Sequence, residues 1–197
     1  MRPKHLVPFL IKCMDAGLPV LLKGPPGVGK TAMCFQAAEQ SGREAIYMEA
    51  GTSDATRLEG MPWINPQEGE AKFFAFGELA KASRATKPTL LLIDDLGWAM
   101  LSVQNAAAHL IHERRTPSGL QLPDCVTIIA TTNERTHKAG VGGFSEPVKS
   151  RFNTIVAVEV NADDSCDHIM ENYPKYRITE EACLDGVGWI RQGGPDA

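Results

Sequence analysis

The 197-residue sequence contains no apolar run near the roughly 18 residues a membrane-spanning helix needs, so no membrane partner is expected. It has no C-x-x-C pair. Its five cysteines, Cys13, Cys34, Cys125, Cys166 and Cys183, are odd in number and widely scattered. That spacing argues against a disulfide framework or a zinc site and fits thiols in a reducing, cytoplasmic compartment. Positive charge is not in excess: 20 Lys and Arg against 24 Asp and Glu give a formal net charge of -4. Bulk charge therefore gives no reason to expect nucleic acid as a partner, although a local basic patch stays open. The opening stretch MRPKHLVPFLIKCMDAG is broken by Pro8 and Lys12 and has no small-residue cleavage site, so it is a poor signal peptide. There is no internal repeat and no low-complexity tract.

What is present is a composition that can bury a core, 43% hydrophobic and 22% charged. Leu6, Phe9, Leu10 and Cys13 follow helical spacing, with Pro8 best suited to a first turn. Short apolar runs without alternation read as buried strands at 18–23, 44–49, 89–94, 125–132 and 154–160. Between them lie helical patterns: one from the end of the glycine-rich loop to about Gln40, one at 77–85, one at 145–152, and one capped by Ser102. The last carries a stripe of Val103, Ala106, Ala107, Leu110 and Ile111. The Gly- and Pro-rich stretch 51–76 reads as irregular. Unalternating strands separated by helices predict an α/β fold, a parallel five-stranded sheet covered on both faces. After Asn161 the pattern turns helical, roughly 164–172 and 179–191, which sets a domain boundary at 160/161.

GPPGVGKT, residues 24–31, matches G-x-x-x-x-G-K-[ST] in full, after a strand and before a helix. Gly24, Pro25, Pro26, Gly27, Val28 and Gly29 form a loop whose backbone N–H groups can turn inward around phosphate oxygens, helped by the helix N-terminus. Lys30 is expected to project from the loop toward the β- and γ-phosphates, and Thr31 to offer its hydroxyl to Mg2+. The implied fold is that of a P-loop nucleotide-binding domain, and the implied cofactors are ATP and Mg2+.

LLLIDD, residues 90–95, drives an apolar strand into two carboxylates. In a parallel sheet, ligands gather at the carboxyl ends of the strands, where the phosphate loop also begins. Asp94 is therefore placed near the cation, directly or through water, as the Walker B residue; the alternative is a pair of aspartates capping a turn.

With these motifs the chain resembles the AAA+ ATPases. In that family a glutamate follows the Walker B aspartate and polarises the attacking water, so the resemblance implies that role for Asp95. IIATTNE (128–134) is similar to the strand and polar tip called sensor 1, implying Asn133 near the γ-phosphate. EPVKSRF (146–152) is similar to the segment carrying the arginine finger, implying Arg151. The order of motifs agrees over 18–160. Within the superfamily the chain most resembles MoxR-like ATPases, through LEGMPWINPQEGEAKFFAFGELAKA (58–82) and VQNAAAHLIHERRTPSGLQLPDCVTIIATTN. That implies Mg-dependent ATP hydrolysis, a homo-oligomeric ring (a hexamer) and a remodelling or chaperone role on a protein client. A nucleotide-dependent assembly switch with little turnover and a DNA-associated loader stand as alternatives.

Two departures qualify the resemblance. Aspartate at 95 is shorter than glutamate by one C–C bond, about 1.5 Å, enough to slow hydrolysis if nothing compensates. Only 37 residues follow position 160, fewer than a full helical lid uses, and no second sensor pattern surrounds Arg191. The lid is expected to be incomplete.

Other residues leave two readings open. Arg151 could instead pair with the sheet's own carboxylates. Arg114 and Arg115 end a helix, where cations suit the macrodipole, or lie at an interface. Met61 and Trp63 are either a partner-gripping tip or a plug between sheet and helix. His109 and His112, three apart on one helix, are either metal ligands or ordinary surface histidines. GVGG (140–143) lacks a following Lys-Ser/Thr and reads as a hinge.

Overall fold

In the computed structural model, residues 1–66, 69–133, 146–159, 161 and 164 are described. The expected lid helices, the 160/161 boundary, the GVGG hinge, Arg191, His137, His168, Cys166 and Cys183 lie outside them.

The sheet is five-stranded. In chain order its strands are β1 (Val20–Gly24), β2 (Glu44–Glu49), β5 (Thr89–Asp94), β6 (Val126–Asn133) and β7 (Thr154–Ala157), arranged in space β2-β5-β6-β1-β7. Every pairing in this sheet is parallel. The inner strand β5, TLLLID, lies between β2 and β6 and is buried at all six positions, which is why it shows no alternation. Side chains of β5 leave alternately to the two faces. Leu90 and Leu92 pack with α1 (Pro3–Asp15) and α2 (Lys30–Gln40), together with Leu6, Leu10 and Cys34. Leu91 and Ile93 pack on the other face with α4 (Gly77–Ser83) and α5 (Leu101–Glu113), through Leu79, Val103, Ala107 and Leu110.

Helix α1 starts five residues before Pro8, which sits inside it; Pro3 takes the first turn. Helix α5 buries the expected stripe, but it begins at Leu101 and its N-cap, Met100, makes no side-chain bond, so Ser102 is not the cap. Gln104 Nε2 instead donates to the Ala99 carbonyl at 3.0 Å. A 3-10 turn, Leu96–Trp98, intervenes between β5 and α5. Near the end of the described chain, α6 (Glu146–Lys149) is one turn long.

The stretch 51–76 is not irregular. It holds a helical turn, α3 (Thr56–Glu59), and an antiparallel hairpin of β3 (Met61–Asn65) and β4 (Glu70–Phe74). Gly60, at φ 91°, is the corner: a Cβ there would lie 2.9 Å from the Phe74 carbonyl oxygen. Pro62 is tolerated because a two-stranded ribbon has only edge strands. Trp63 is 66% exposed and Met61 53% exposed, so neither plugs the helix-sheet layer.

Candidate functional site

The phosphate loop begins where β1 ends. Gly24 must be glycine on steric grounds, since a Cβ would meet the Val158 carbonyl oxygen at 2.9 Å. Gly27 and Gly29 adopt positive φ, 77° and 86°, and Gly29 is the N-cap of α2. Among the described residues no backbone carbonyl accepts from the amides of Gly27, Val28 or Gly29. Pro25 and Pro26 have no N–H to offer. The loop therefore presents donors that its own fold leaves unused, at the positive end of a helix, which suits an oxyanion.

Lys30 does not project freely. It is 6% exposed, and its Nζ donates to the Gly24 carbonyl (3.1 Å), the Pro25 carbonyl (2.8 Å) and Asn133 Oδ1 (2.7 Å). Three acceptors match the three hydrogens of an ammonium. Asn133 in turn donates from Nδ2 to Asp95 Oδ1 at 2.9 Å. Cation, amide and carboxylate thus form one chain of bonds linking α2, β6 and the end of β5. Parallel register makes this possible: Gly24 lies opposite Asn133.

Asp94 is 7% exposed. Thr31 Oγ1 donates to it, 3.1 Å from Oδ1 and 2.9 Å from Oδ2. Thr131 donates from Oγ1 to Oδ1 and accepts from the Asp95 amide at 3.1 Å. Asp94 and Thr31 form a hard-oxygen pair beside the phosphate loop. That donor set fits Mg2+, which keeps several waters and takes one or two protein oxygens alongside substrate phosphates. Among the described residues no cluster of three or more His, Cys, Asp or Glu is arranged as an all-protein metal cage. His109 and His112 belong to no such cluster; His109 Nδ1 lies 3.1 Å from the Arg115 carbonyl.

Asp95 explains why an aspartate stands there. It occupies the left-handed region, φ 52° and ψ 35°, where aspartate and asparagine are tolerated far better than other side chains. Its carboxyl is pushed up from the ordinary value by desolvation, then by the charges of Asp94 and Glu49, with Lys30 opposing. One of its oxygens is engaged by Asn133, and no described donor takes the other.

Arg151 lies elsewhere. It lines a cavity of about 140 Å3 with Pro19, Ile128, Arg114 and Asn153. Pro19 precedes β1 and Ile128 is early in β6, so this is the opposite end of the sheet. Asn133 is five steps along β6 from Ile128, about 17 Å at a strand's rise per residue. Arg151 therefore does not join the other expected residues within its own chain. Arg114 has a structural task beyond the macrodipole. It closes α5 at φ 54°, and its guanidinium donates to the carbonyls of Pro123 (2.6 Å) and Val126 (2.8 Å).

Three residues of this site were not singled out by the sequence: Thr131, inside IIATTNE, and Tyr47 and Glu49, which carry no motif. Thr131 was legible in principle, two residues before Asn133 on the same strand face. Tyr47 and Glu49 come from an edge strand whose pairing with β5 only the fold supplies.

A phosphate loop between strand and helix, with a carboxylate at the end of an inner strand of the same parallel sheet, defines a P-loop nucleotide-binding domain. The model of the AAA domain, dynein-related subfamily, matches residues 19–152. The chain belongs to that family. It is 27% identical over 178 residues to Midasin of Giardia intestinalis, covering 83% of this chain and 3% of Midasin. Among solved structures, a presumed ATPase from Cytophaga hutchinsonii superposes with a TM-score of 0.63 at 17% identity, covering 92% of this chain and 56% of that one. The Thermotoga maritima RuvB Holliday junction branch migration motor gives 0.59 at 15% identity, covering 96% and 61%. At these identities the structural likeness speaks for the fold alone. The chain spans a small fraction of Midasin and little more than half of the two structures. No described helix is long and apolar enough to cross a membrane.

Proposed function

We propose that this chain is a Mg-dependent ATPase domain that works as part of a ring of like subunits, remodelling a protein client as MoxR-like proteins do. The observation that carries the reading is the convergence of Lys30, Thr31, Asp94, Asp95 and Asn133 at the carboxyl ends of β1, β5 and β6.

The phosphates of ATP are held by the loop from Gly24 through Gly29, and Lys30 exchanges its bonds to the Gly24 and Pro25 carbonyls for phosphate oxygens. Thr31 and Asp94 would hold Mg2+, which supplies neutralisation of the phosphate charge when bound. Asp95 orients the attacking water and accepts its proton on the oxygen that Asn133 leaves available. Asn133 ties that carboxylate to Lys30, so the group at the γ-phosphate and the group at the water move together. Arg151 acts on the nucleotide of a neighbouring copy.

A second reading, an assembly switch with slow turnover, draws on the short reach of Asp95. Steady-state turnover set against ATP affinity separates the two.

The test is Lys30→Ala. Losing a charge-assisted bond to phosphate costs about 1.5–3 kcal/mol, so ATP affinity should fall about 10- to 100-fold and turnover should vanish. Unchanged affinity in a variant with parent-like circular dichroism would remove the phosphate-loop assignment.

A further inference from the structure

The edge strand β2 brings a tyrosine to the same carboxylate that the phosphate loop touches. Tyr47 and Glu49 are two apart on β2 and so leave the same face, and Glu49 pairs in register with Asp94. The Tyr47 hydroxyl donates to Glu49 Oε2 at 2.6 Å and reaches Asp94 Oδ2 at 3.2 Å. Its ring rests against Phe35 of α2, with centroids 5.9 Å apart and planes at 33°. On the opposite flank, Thr131 of β6 bonds Asp94 Oδ1. The two strands beside β5 therefore each hold one oxygen of Asp94.

The choice of residue follows from distance. Tyr47 is level with Leu92, not Asp94. Two residues along a strand is about 6.6 Å, and a serine or threonine hydroxyl at that position would fall short. The phenol spans the gap, Phe35 limits its ring, and Glu49 holds its hydroxyl with the shorter of the two bonds. The single phenol proton is shared between the two carboxylates: the shorter bond, to Glu49, fixes where the hydroxyl stands, and the longer one, 3.2 Å, reaches Asp94 Oδ2. Asp94 then finds a hydroxyl at a set place beside Oδ2.

We infer that Tyr47, anchored by Glu49 and backed by Phe35, is a positioning residue that fixes the plane of the Asp94 carboxylate for Mg2+. The inference rests on the reading of Asp94 as the residue on the metal side. Partners that orient a metal-side carboxylate typically contribute 10- to 100-fold in affinity or activity. Thr31 and Thr131 share the task, and Tyr47 is 39% exposed, so the low end applies.

The experiment uses Tyr47→Phe, which keeps the ring and its contact with Phe35. Affinity for a non-hydrolysable ATP analogue is measured with Mg2+ and with EDTA, and turnover is followed against free Mg2+. The half-saturating Mg2+ concentration should rise about tenfold. The gain in analogue affinity that Mg2+ confers should shrink in proportion, while affinity in EDTA and Tm stay at parent values. Glu49→Gln, which keeps the tyrosine, should shift Mg2+ dependence the same way by less, and adding it to Tyr47→Phe should do nothing more. It also carries the test if the Phe variant folds poorly. Asp94→Asn is the control. If it loses Mg2+ dependence while Tyr47→Phe and Glu49→Gln keep theirs within about twofold of the parent, a range well below the contribution expected of a positioning partner, the positioning role is wrong and the metal reading stands. If Asp94→Asn leaves Mg2+ dependence intact, both fall.

Discussion

The two ends of the sheet are built differently. At the carboxyl ends, Lys30, Asn133, Asp95, Thr31, Asp94 and Thr131 engage one another in a continuous network. At the amino ends, Arg114 and Arg151 line a cavity, and among the described residues no carboxylate lines it with them. The carboxyl end joins two aspartates to a phosphate loop whose amides meet no described carbonyl, and the cavity at the amino end is lined by two guanidinium groups. The sheet holds Arg151 about 17 Å from the carboxyl-end network, too far to meet it within one chain. On the proposed ring reading, Arg151 of one copy would meet the carboxyl-end network of the next.

Arg151→Ala tests that complementarity hardest. Arginine fingers contribute 10³–10⁵ in related phosphoryl transfers, so turnover should drop by on the order of 10³ with ATP affinity unchanged. Mixing Arg151→Ala with Asp95→Asn should recover activity, because the second variant lends an intact arginine to the first one's intact site. An Arg151→Ala protein with parent turnover at every protein concentration would break the comparison, leaving the amino-end cavity as ordinary surface.

The carboxyl end was largely readable in the sequence, because its residues sit in motifs of fixed spacing: GPPGVGKT, LLLIDD, ATTN. Spacing also located the five strands and the buried stripe of α5. What it could not supply was partnership across strands. The bond from Tyr47 to Asp94 depends on β2 lying beside β5, and the bond from Lys30 to Asn133 on β1 lying beside β6. Nor could it show that Lys30 is folded back onto its own loop, since the same four-carbon stem reaches outward equally well. The stretch 51–76 misled for another reason. Its Gly and Pro residues read as breakers, yet Gly60 turns the chain into β3 and Pro62 sits in a strand that has no inner neighbour. Of the two readings left open for Met61 and Trp63, the plug between sheet and helix fails, since both are more than half exposed, as are Ile64 and Phe74.

Asp95 sharpens the account of the carboxyl end by itself. A positioned general base contributes about 10²–10⁴, so Asp95→Asn should slow single-turnover hydrolysis by about 10² while leaving ATP affinity close to the parent's. Asp95→Glu discriminates between two causes. If short reach limited the parent, the longer side chain would accelerate hydrolysis. The left-handed backbone at 95 favours aspartate, and its carboxylate already meets Asn133 at 2.9 Å, so the geometry is set for the shorter residue. Asp95→Glu should therefore be slower than the parent. Acceleration would show that the assembly-switch reading, with hydrolysis held back by one missing methylene, describes the protein better.

The smallest effect is expected at the hairpin, which belongs to neither end. Trp63 and Lys72 are directly opposite each other across β3 and β4, and both are exposed, so serine at 63 removes little buried apolar surface. Trp63→Ser should change unfolding free energy by no more than about 0.5 kcal/mol, the range for surface substitutions, and leave turnover per subunit as it was. Gly60→Ala is the contrast within the same element, because its new methyl would press on the Phe74 carbonyl at a backbone angle that L side chains rarely adopt. It should cost about 1–3 kcal/mol, read in a urea titration, and still spare nucleotide affinity, since the atoms nearest the new methyl belong to Phe74 and Ala75 rather than to the phosphate loop. A Trp63→Ser protein with impaired nucleotide affinity would tie the hairpin to the carboxyl end of the sheet, and the division between the two would have to be redrawn.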